Sequence, residues 1–262
     1  MTDNLTTLLN FLPQLWEGVQ ATLILTVAGS IGAVIIALLL GLAMTSAHAW
    51  MRIPARIIVE FFRGTSLLVQ LFWLFYVFPL LGVDLNSMAC GIGALALNYG
   101  AYSAEVVRSS ITTVDKGQWE GSIALSLSPT RRMIRVIFPQ GWALMIPSLA
   151  TLLIQLLKGT AVVSFITLQD LTEKITQLRQ TTDTYFAFSI GLIIYFVIAW
   201  LLQEFMNFLE RRATASLGRR RPNSRADRRE ARRDARAGDT TAPGPVSATG
   251  QSSGNVGYGD PL

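Results

Sequence analysis

Long apolar runs alternate with short charged interruptions along this chain, and the interruptions predict where membrane-spanning helices start and stop. No Asp, Glu, Lys or Arg occurs between Gly18 and Met51. Because roughly 20 apolar residues cross the hydrocarbon core of a bilayer, that run predicts a first span over about 21–45. Ahead of it, Leu5, Leu8, Leu9, Leu12 and Trp16 share one helical face, which predicts an external amphipathic segment over 1–20 lying along the membrane surface. Arg52, Arg56, Glu60 and Arg63 mark a polar segment interrupted by Pro54. Between Gly64 and Ala104 the only charge is Asp84, flanked by Gly82 and Asn86. That length fits two spans, about 66–81 and 87–106, joined by a tight turn, better than a re-entrant pair. Val136 to Leu157 is again free of charge, but Pro139 and Pro147 remove backbone donors and predict a kinked span over about 142–157. Ala161–Leu168 is too short to cross, and Asp170 to Asp183 reads as an external amphipathic segment. A continuous span follows over 184–203. The pattern predicts an all-α integral membrane protein with five transmembrane helices in a domain covering 21–210.

The longest polar interruption lies at 115–139. Asp115 is placed as an N-cap with Gln118 as its capping-box partner. Trp119, Ile123 and Leu127 recur every fourth residue and predict one apolar stripe on a short helix. Ser128 followed by Pro129 reads as a second N-cap with proline at the first helical position. The second short helix runs from Pro129 toward Phe138 and carries Arg131, Arg132 and Arg135. A two-helix block of this kind on one membrane face is either a docking site for a partner protein or a plain amphipathic hairpin.

Composition narrows the chemistry. The chain is 51% hydrophobic and 15% charged, as expected of a membrane protein. Asp3 and Glu17 with no basic residue near the start argue against a cleavable signal peptide. The single cysteine, Cys90, reads as a small core residue, and the single histidine, His48, excludes a histidine-rich metal site. No catalytic set and no metal site is expected. No phosphate-binding G-x-x-x-x-G-K-[ST] loop is present, so coupling to ATP has to come from another polypeptide. Of the 22 Lys and Arg residues, all but Lys158, Lys174 and Arg179 share the side of the 115–139 loop once five crossings are counted. The positive-inside rule then makes that loop and the C-terminus cytoplasmic and puts the N-terminus outside. Residues 211–262 begin Arg-rich and end rich in Gly, Ser, Thr and Pro, so a disordered cytoplasmic tail is expected there. Its basic half suits anionic membrane lipids. Nucleic acid is not an expected partner.

The 115–139 block resembles the cytoplasmic "EAA" loop of permease subunits from ATP-binding-cassette importers. That pattern reads Glu-Ala-Ala, three residues, Gly, nine residues, Ile, one residue, Leu-Pro. Glu120 takes the glutamate position and Pro139 the final proline, whereas Gly121 and Ser122 replace the alanines, Ser126 the glycine, Val136 the isoleucine and Phe138 the leucine. Glu60–Leu68 (EFFRGTSLL), Asn98–Tyr102 with Ser103, Ala104 and Glu105, Lys158-Gly159-Thr160 and Asp170-Leu171 are similar to segments of the polar-amino-acid-type permeases. The resemblance covers about 12–212, and within that group the chain looks most like ectoine/hydroxyectoine importer permeases.

The resemblance implies an importer-permease type I fold and transport of a polar amino acid or a zwitterionic compatible solute. It implies two cytoplasmic ATP-binding subunits that hold the ATP and Mg2+, a second permease subunit and an extracytoplasmic solute-binding protein. It makes 115–139 a coupling loop with Trp119, Glu120, Gly121, Ser122, Arg131 and Arg132 at the ATPase contact; Arg135 reads as positive-inside anchoring. For the solute pathway, Asn98, Tyr99, Tyr102 and Glu105, at i, i+1, i+4 and i+7, are read as one polar helical face. Glu105 either faces the pathway or pairs with Arg108 at the inner interface. Lys158, with Thr160 beside it, either attracts a substrate carboxylate or snorkels. A channel or secondary transporter without an ATPase is the alternative class. A membrane enzyme built on His48 lacks any nucleophile motif nearby.

Overall fold

The structure is a computed structural model that describes residues 2–216, with side chains described over 6–212. All regular structure among these residues is helical. In chain order the helices are α1 (Thr2–Thr45), α2 (Ala49–Gly64), α3 (Leu67–Phe72), α4 (Ser87–Thr112), α5 (Lys116–Ala124), α6 (Pro129–Arg132), α7 (Phe138–Gly159), α8 (Leu171–Thr181) and α9 (Thr184–Ser216). A π turn (Trp73–Val77) and a 3-10 turn (Pro79–Leu81) extend α3, a π turn (Met133–Ile137) joins α6 to α7, and a 3-10 stretch (Thr160–Ile166) follows α7.

Helix α4 is the centre of the bundle, buried by α1, α2 and α7. Its neighbour α1 runs in the same direction: Leu25 lies beside Gly91, Ile36 beside Gly100 and Gly41 beside Val107. The chain between them therefore returns to the end from which α1 started. Small residues let the two backbones meet. A Cβ on Gly41 would lie 2.6 Å from the Val107 Cβ and 2.9 Å from the Ala104 carbonyl oxygen. Within a bilayer there is little hydrophobic force between helices, so such close packing is what holds them.

Three helical stretches are long and apolar enough to cross a membrane: Thr6–Thr45, Pro129–Ile166 and Thr184–Arg212. A fourth qualifies if α2 and the Leu67–Val77 segment count as one span, but that pair is bent by 103°. The expected third span, α4, is long enough at 26 residues, about 39 Å at the helical rise. Asn98, Tyr99, Tyr102, Ser103 and its glycines dilute its apolarity, because it faces protein rather than lipid.

Several boundaries differ from those the pattern predicts. The 1–20 surface helix and the 21–45 span are one continuous helix that passes through Pro13. Leu15 is buried, and Leu8 and Phe11 pack beside it, while Leu9, Leu12 and Trp16 point outward. The 66–81 segment is no regular α-helix, since the π and 3-10 turns after α3 end at Gly82, which has a φ of 84°. Asn86 then caps α4, its Oδ1 accepting from the Ala89 N–H at 2.7 Å. The kinked 142–157 span is an α-helix that continues through Pro147, and the irregular turn sits upstream, just before Pro139. The missing N–H of Pro139 is thereby absorbed in the π turn. Helix α9 extends through 211–216, which the tail was expected to include. The rest of the tail lies outside the described residues.

The glycine contacts make a direct prediction. Gly41→Ala has to push α1 and α4 apart and is expected to cost about 1–3 kcal/mol. It should lower the thermal midpoint of the purified protein in detergent. Gly64→Ala, whose Cβ meets nothing within 4 Å, should leave that midpoint nearly unchanged.

Candidate functional site

Helix α5 stands out from the bundle on a firm base. Asp115 caps it, but its Oδ1 accepts from the Gly117 N–H at 2.6 Å, so the capping box with Gln118 does not form. Gln118 Oε1 instead accepts from Gln140 Nε2 at 3.2 Å, which ties α5 to the start of α7. Trp119 packs on the cluster of Val107, Ile111, Ile137 and Met145. Ser122 is buried and donates to the Trp119 carbonyl at 2.7 Å. The expected stripe of Trp119, Ile123 and Leu127 is therefore split: Trp119 faces the core, and Ile123 is 55% exposed. Leu125 is 75% exposed beside it.

Glu120 and Gly121 lie on the exposed side, and a Cβ on Gly121 would meet nothing within 4 Å. Ser126 closes the helix in the left-handed region, with a φ of 55°. Ser128 makes no side-chain cap, although Pro129 holds the first helical position. The second short helix is not free-standing, since α6 passes through the π turn directly into α7. Arg132 donates to the Leu127 carbonyl at 3.3 Å, bracing the turn between the two helices. Arg131 and Arg135 are exposed. The result is a small knob with an acidic and apolar outer face, fixed to one of the membrane-long helices.

The candidate pathway residues fall into separate places. Asn98 is buried and donates to the Phe62 carbonyl at 3.3 Å, an acceptor shared with Gln70 Nε2 at 2.8 Å. Gln70 also donates to Thr65 Oγ1 at 2.7 Å, so the two amides hold the bend between α2 and α3. Tyr102 donates to the Arg63 carbonyl at 3.2 Å, and the Arg63 guanidinium lies 5.5 Å from its ring centre. Glu105 accepts from Arg108 Nε at 3.0 Å, the paired arrangement weighed for it above. Tyr99 points elsewhere, because one residue is about 100° around a helix. Its hydroxyl donates to the Gln155 carbonyl at 2.8 Å, and its ring lies against Gly159. It lines an apolar cleft of about 310 Å³ with Ser30, Ser103 and Trp142.

On α7, Lys158 is exposed and borders a cleft of about 490 Å³ with Tyr195, Trp200 and Gln203. Thr160 is buried and donates to the Leu157 carbonyl at 2.7 Å. Ser148, Thr151 and Gln155 are also exposed, at spacings that put them on one face with Lys158. This polar stripe is legible as polar residues at helical spacing within an apolar run, although charge alone marks only Lys158. Ile123 carries a spacing signal, but one that groups it with the inward Trp119, and the exposed Leu125 carries none.

At the other end of the bundle, α8 is docked rather than lying free at the surface. The Leu171 N–H donates to Thr22 Oγ1 at 3.1 Å, and Lys174 lies 3.5 Å from Glu17. Asp170 is fully buried; its Oδ1 caps α8 by accepting from the Glu173 N–H at 3.0 Å, and its Oδ2 has no partner among the described residues. Burial pushes its pKa up to about 6 against the pull of these backbone bonds. Among the described residues no group of His, Cys, Asp or Glu could hold a metal ion.

Residues 33–215 match the family model described as binding-protein-dependent transport system inner membrane component. The chain is 37% identical over 219 residues to a probable amino-acid ABC transporter permease of Sinorhizobium fredii, covering 81% of this chain and 92% of that protein. It is 35% identical over 205 residues to the L-cystine transport system permease of Bacillus subtilis, covering 78% and 88%. Among solved structures, one described as an amino acid ABC transporter with histidines matches with a TM-score of 0.73 at 31% identity, covering 79% of this chain and 97% of that one. An inward-facing methionine ABC transporter matches in fold with a TM-score of 0.68 at 19% identity.

Two outcomes follow from this geometry. Ser126→Gly relieves a left-handed L-residue and is expected to stabilise the loop by about 1 kcal/mol, raising the melting midpoint without changing transport. For Asp170, the folded-state pKa lies above its ordinary value of 3.8, so the folded chain holds the proton more firmly than the unfolded one. Stability therefore falls as pH rises from about 4 through 6, by up to about 3 kcal/mol. Asp170→Asn should remove that slope, melting above the parent near neutral pH and converging with it at acid pH.

Proposed function

This chain belongs to the family of binding-protein-dependent transport system inner membrane components, and on that footing we propose that it forms the translocation pathway of an ATP-driven importer for polar amino acids. It is a non-catalytic, multi-pass permease subunit that works with ATPase partners and a second permease subunit. The observation that carries the reading is the knob at 115–139. Glu120 and Gly121 are presented with Ile123 and Leu125 on an exposed face, while Trp119, Ser122 and Gln118 anchor the same helix to the bundle. An exposed apolar pair beside an acidic residue is a protein-docking surface rather than a solvated loop. The ATPase subunits bind ATP and Mg2+, grip this face, with Arg131 and Arg132 beside it, and push on α7 through α6.

In this reading the chain crosses the plasma membrane five times, with the N-terminus outside and the knob and C-terminus in the cytoplasm. An extracytoplasmic solute-binding protein delivers the solute. The pathway borders the α7 stripe of Ser148, Thr151, Gln155 and Lys158, because exposed polar groups and a cation at membrane depth are costly against lipid. Lys158 attracts the solute carboxylate, and Tyr99, Tyr102, Asn98, Glu105 and Thr160 shape and brace the walls. Relatives named for amino acids and L-cystine support the amino-acid class. Ectoine or hydroxyectoine as the solute rests on the sequence resemblance alone. A channel or secondary transporter without an ATPase leaves the exposed knob without a role.

Glu120→Arg is the test, in vesicles holding the permease with its ATPase and binding protein. The variant should insert and fold normally but lose solute uptake and solute-stimulated ATP hydrolysis. Uptake at the parental rate would remove the docking claim.

A further inference from the structure

We infer that α2 is an in-plane membrane anchor, bound to anionic lipid headgroups of the leaflet on the side of the coupling loop. In the sequence Arg52, Arg56, Glu60 and Arg63 mark the segment as polar; the structure divides it into three faces. Ala55 and Val59 are buried against the bundle, packed near Met44, Ala101 and Ala104. Trp50, Ile53, Ile57 and Phe61, spaced one turn apart, are all exposed, Trp50 to 73% and Ile57 to 63%. Arg52, Arg56, Glu60 and Arg63 form the remaining face. The apolar stripe lies opposite the stripe that meets the bundle, and the charged face lies between the two.

Length and direction exclude a crossing by this helix. Its 16 residues span about 24 Å, less than the hydrocarbon core, and four of them are charged. The chain then turns by 103° into the Leu67–Val77 segment, so α2 lies crosswise to it. The turn is held by Asn98 and Gln70 on the Phe62 carbonyl. Arg63 meets Tyr102 in the half of α4 that leads into α5, and Ala55 and Val59 cluster with Met44 in the last turn of α1 and with Ala104, which places α2 on the loop's side of the bundle.

Charge complementarity identifies what covers the open faces. Arg63 lies 3.8 Å from Glu60, but Arg52 and Arg56 make no ion pair among the described residues. An apolar stripe with a tryptophan at its edge and unpaired arginines around the corner matches the boundary between acyl chains and phosphates. A protein partner would instead have to cover the apolar stripe. Anchoring α2 there would hold the Phe62 carbonyl, and with it Asn98, at a fixed depth while the coupling loop moves.

This inference rests on the chain being a membrane protein and not on ATPase docking, so the permease is tested without its ATPase. Spin labels are placed singly through Trp50→Cys, Arg52→Cys, Ile53→Cys, Arg56→Cys, Ile57→Cys and Phe61→Cys in a full-length Cys90→Ala background. Each variant is reconstituted into nanodiscs of phosphatidylcholine with or without phosphatidylglycerol. Labels at 53, 57 and 61 should be several-fold more accessible to oxygen than to a nickel chelate, at one common depth, with the reverse at 52 and 56. Adding Arg52→Gln and Arg56→Gln should shift the depth of the 57 label in discs with phosphatidylglycerol and not in those without. Labels at 53 and 57 shielded from both probes would show a protein partner on this face and overturn the proposal. A depth that increases steadily from 53 to 61 would show a crossing helix and overturn it too. A depth indifferent to lipid charge and to the arginines would overturn the headgroup contact.

Discussion

The approach of α1 to α4 at glycine distance is the constraint on which the remaining arrangement depends. Two membrane helices gain little from excluding lipid, so their association has to come from close packing. The small residues of both helices let the backbones meet along most of their length, and Gly41 against Val107 leaves no room for even a methyl group. Because the two helices are parallel, the intervening chain has to come back across the bundle. It does so through the 103° bend and the π and 3-10 turns after α3. That return path is short and irregular, and buried amides pin it: Asn98 from α4 and Gln70 from α3 share one carbonyl at the end of α2.

A central helix so crowded assigns its polar side chains by direction. Asn98, Tyr102 and Glu105 face the α2 side, where they meet the Phe62 carbonyl, Arg63 and Arg108. Tyr99 turns to α7 and closes on the Gln155 carbonyl. These contacts satisfy groups that would otherwise be costly at membrane depth, and so they brace whatever pathway the assembled protein forms. The open polar surface lies instead on α7, which also carries the knob on its N-terminal extension. One continuous helical stretch, α6 through the π turn into α7, thus joins the exposed knob at one end with the polar stripe further along.

Much of this was legible in the residues, and the parts that were not have identifiable causes. Charge-free runs located α1, α7 and α9, and the Asn86 cap and the Gly82 turn were marked by residue type. The 1–20 segment could not be separated correctly because Pro13 and Glu17 look like boundaries, yet the inward face of Leu8, Phe11 and Leu15 runs on without a break. Spacing put Asn98 and Tyr99 on one face, but adjacent residues point about 100° apart, and only their partners reveal the split. Asp115 was recognised as a cap, but not that Gln118 would bond across to Gln140 rather than back to the cap. Long-range polar pairs of that kind leave no periodic trace.

The exposed surfaces complete the argument. In a water-soluble protein an exposed Leu needs no explanation, and neither does an exposed Lys. In a chain whose helices cross a bilayer the two carry opposite information. The apolar outer faces of α1 and α9 are at home in lipid, whereas Ser148, Thr151, Gln155 and Lys158 on α7 are not. Conversely, Ile123 on the short polar helix α5 and Leu125 just past its end stand beyond the bundle, where lipid does not account for them. The isolated chain therefore leaves two surfaces in the wrong solvent, one polar within the membrane and one apolar outside it. In the function proposed above, both are resolved by one assembly, a like subunit across a wet pathway and a soluble motor on the knob. Because α7 carries both, a partner that docked on the knob in that proposal would act on the polar stripe through one continuous helix.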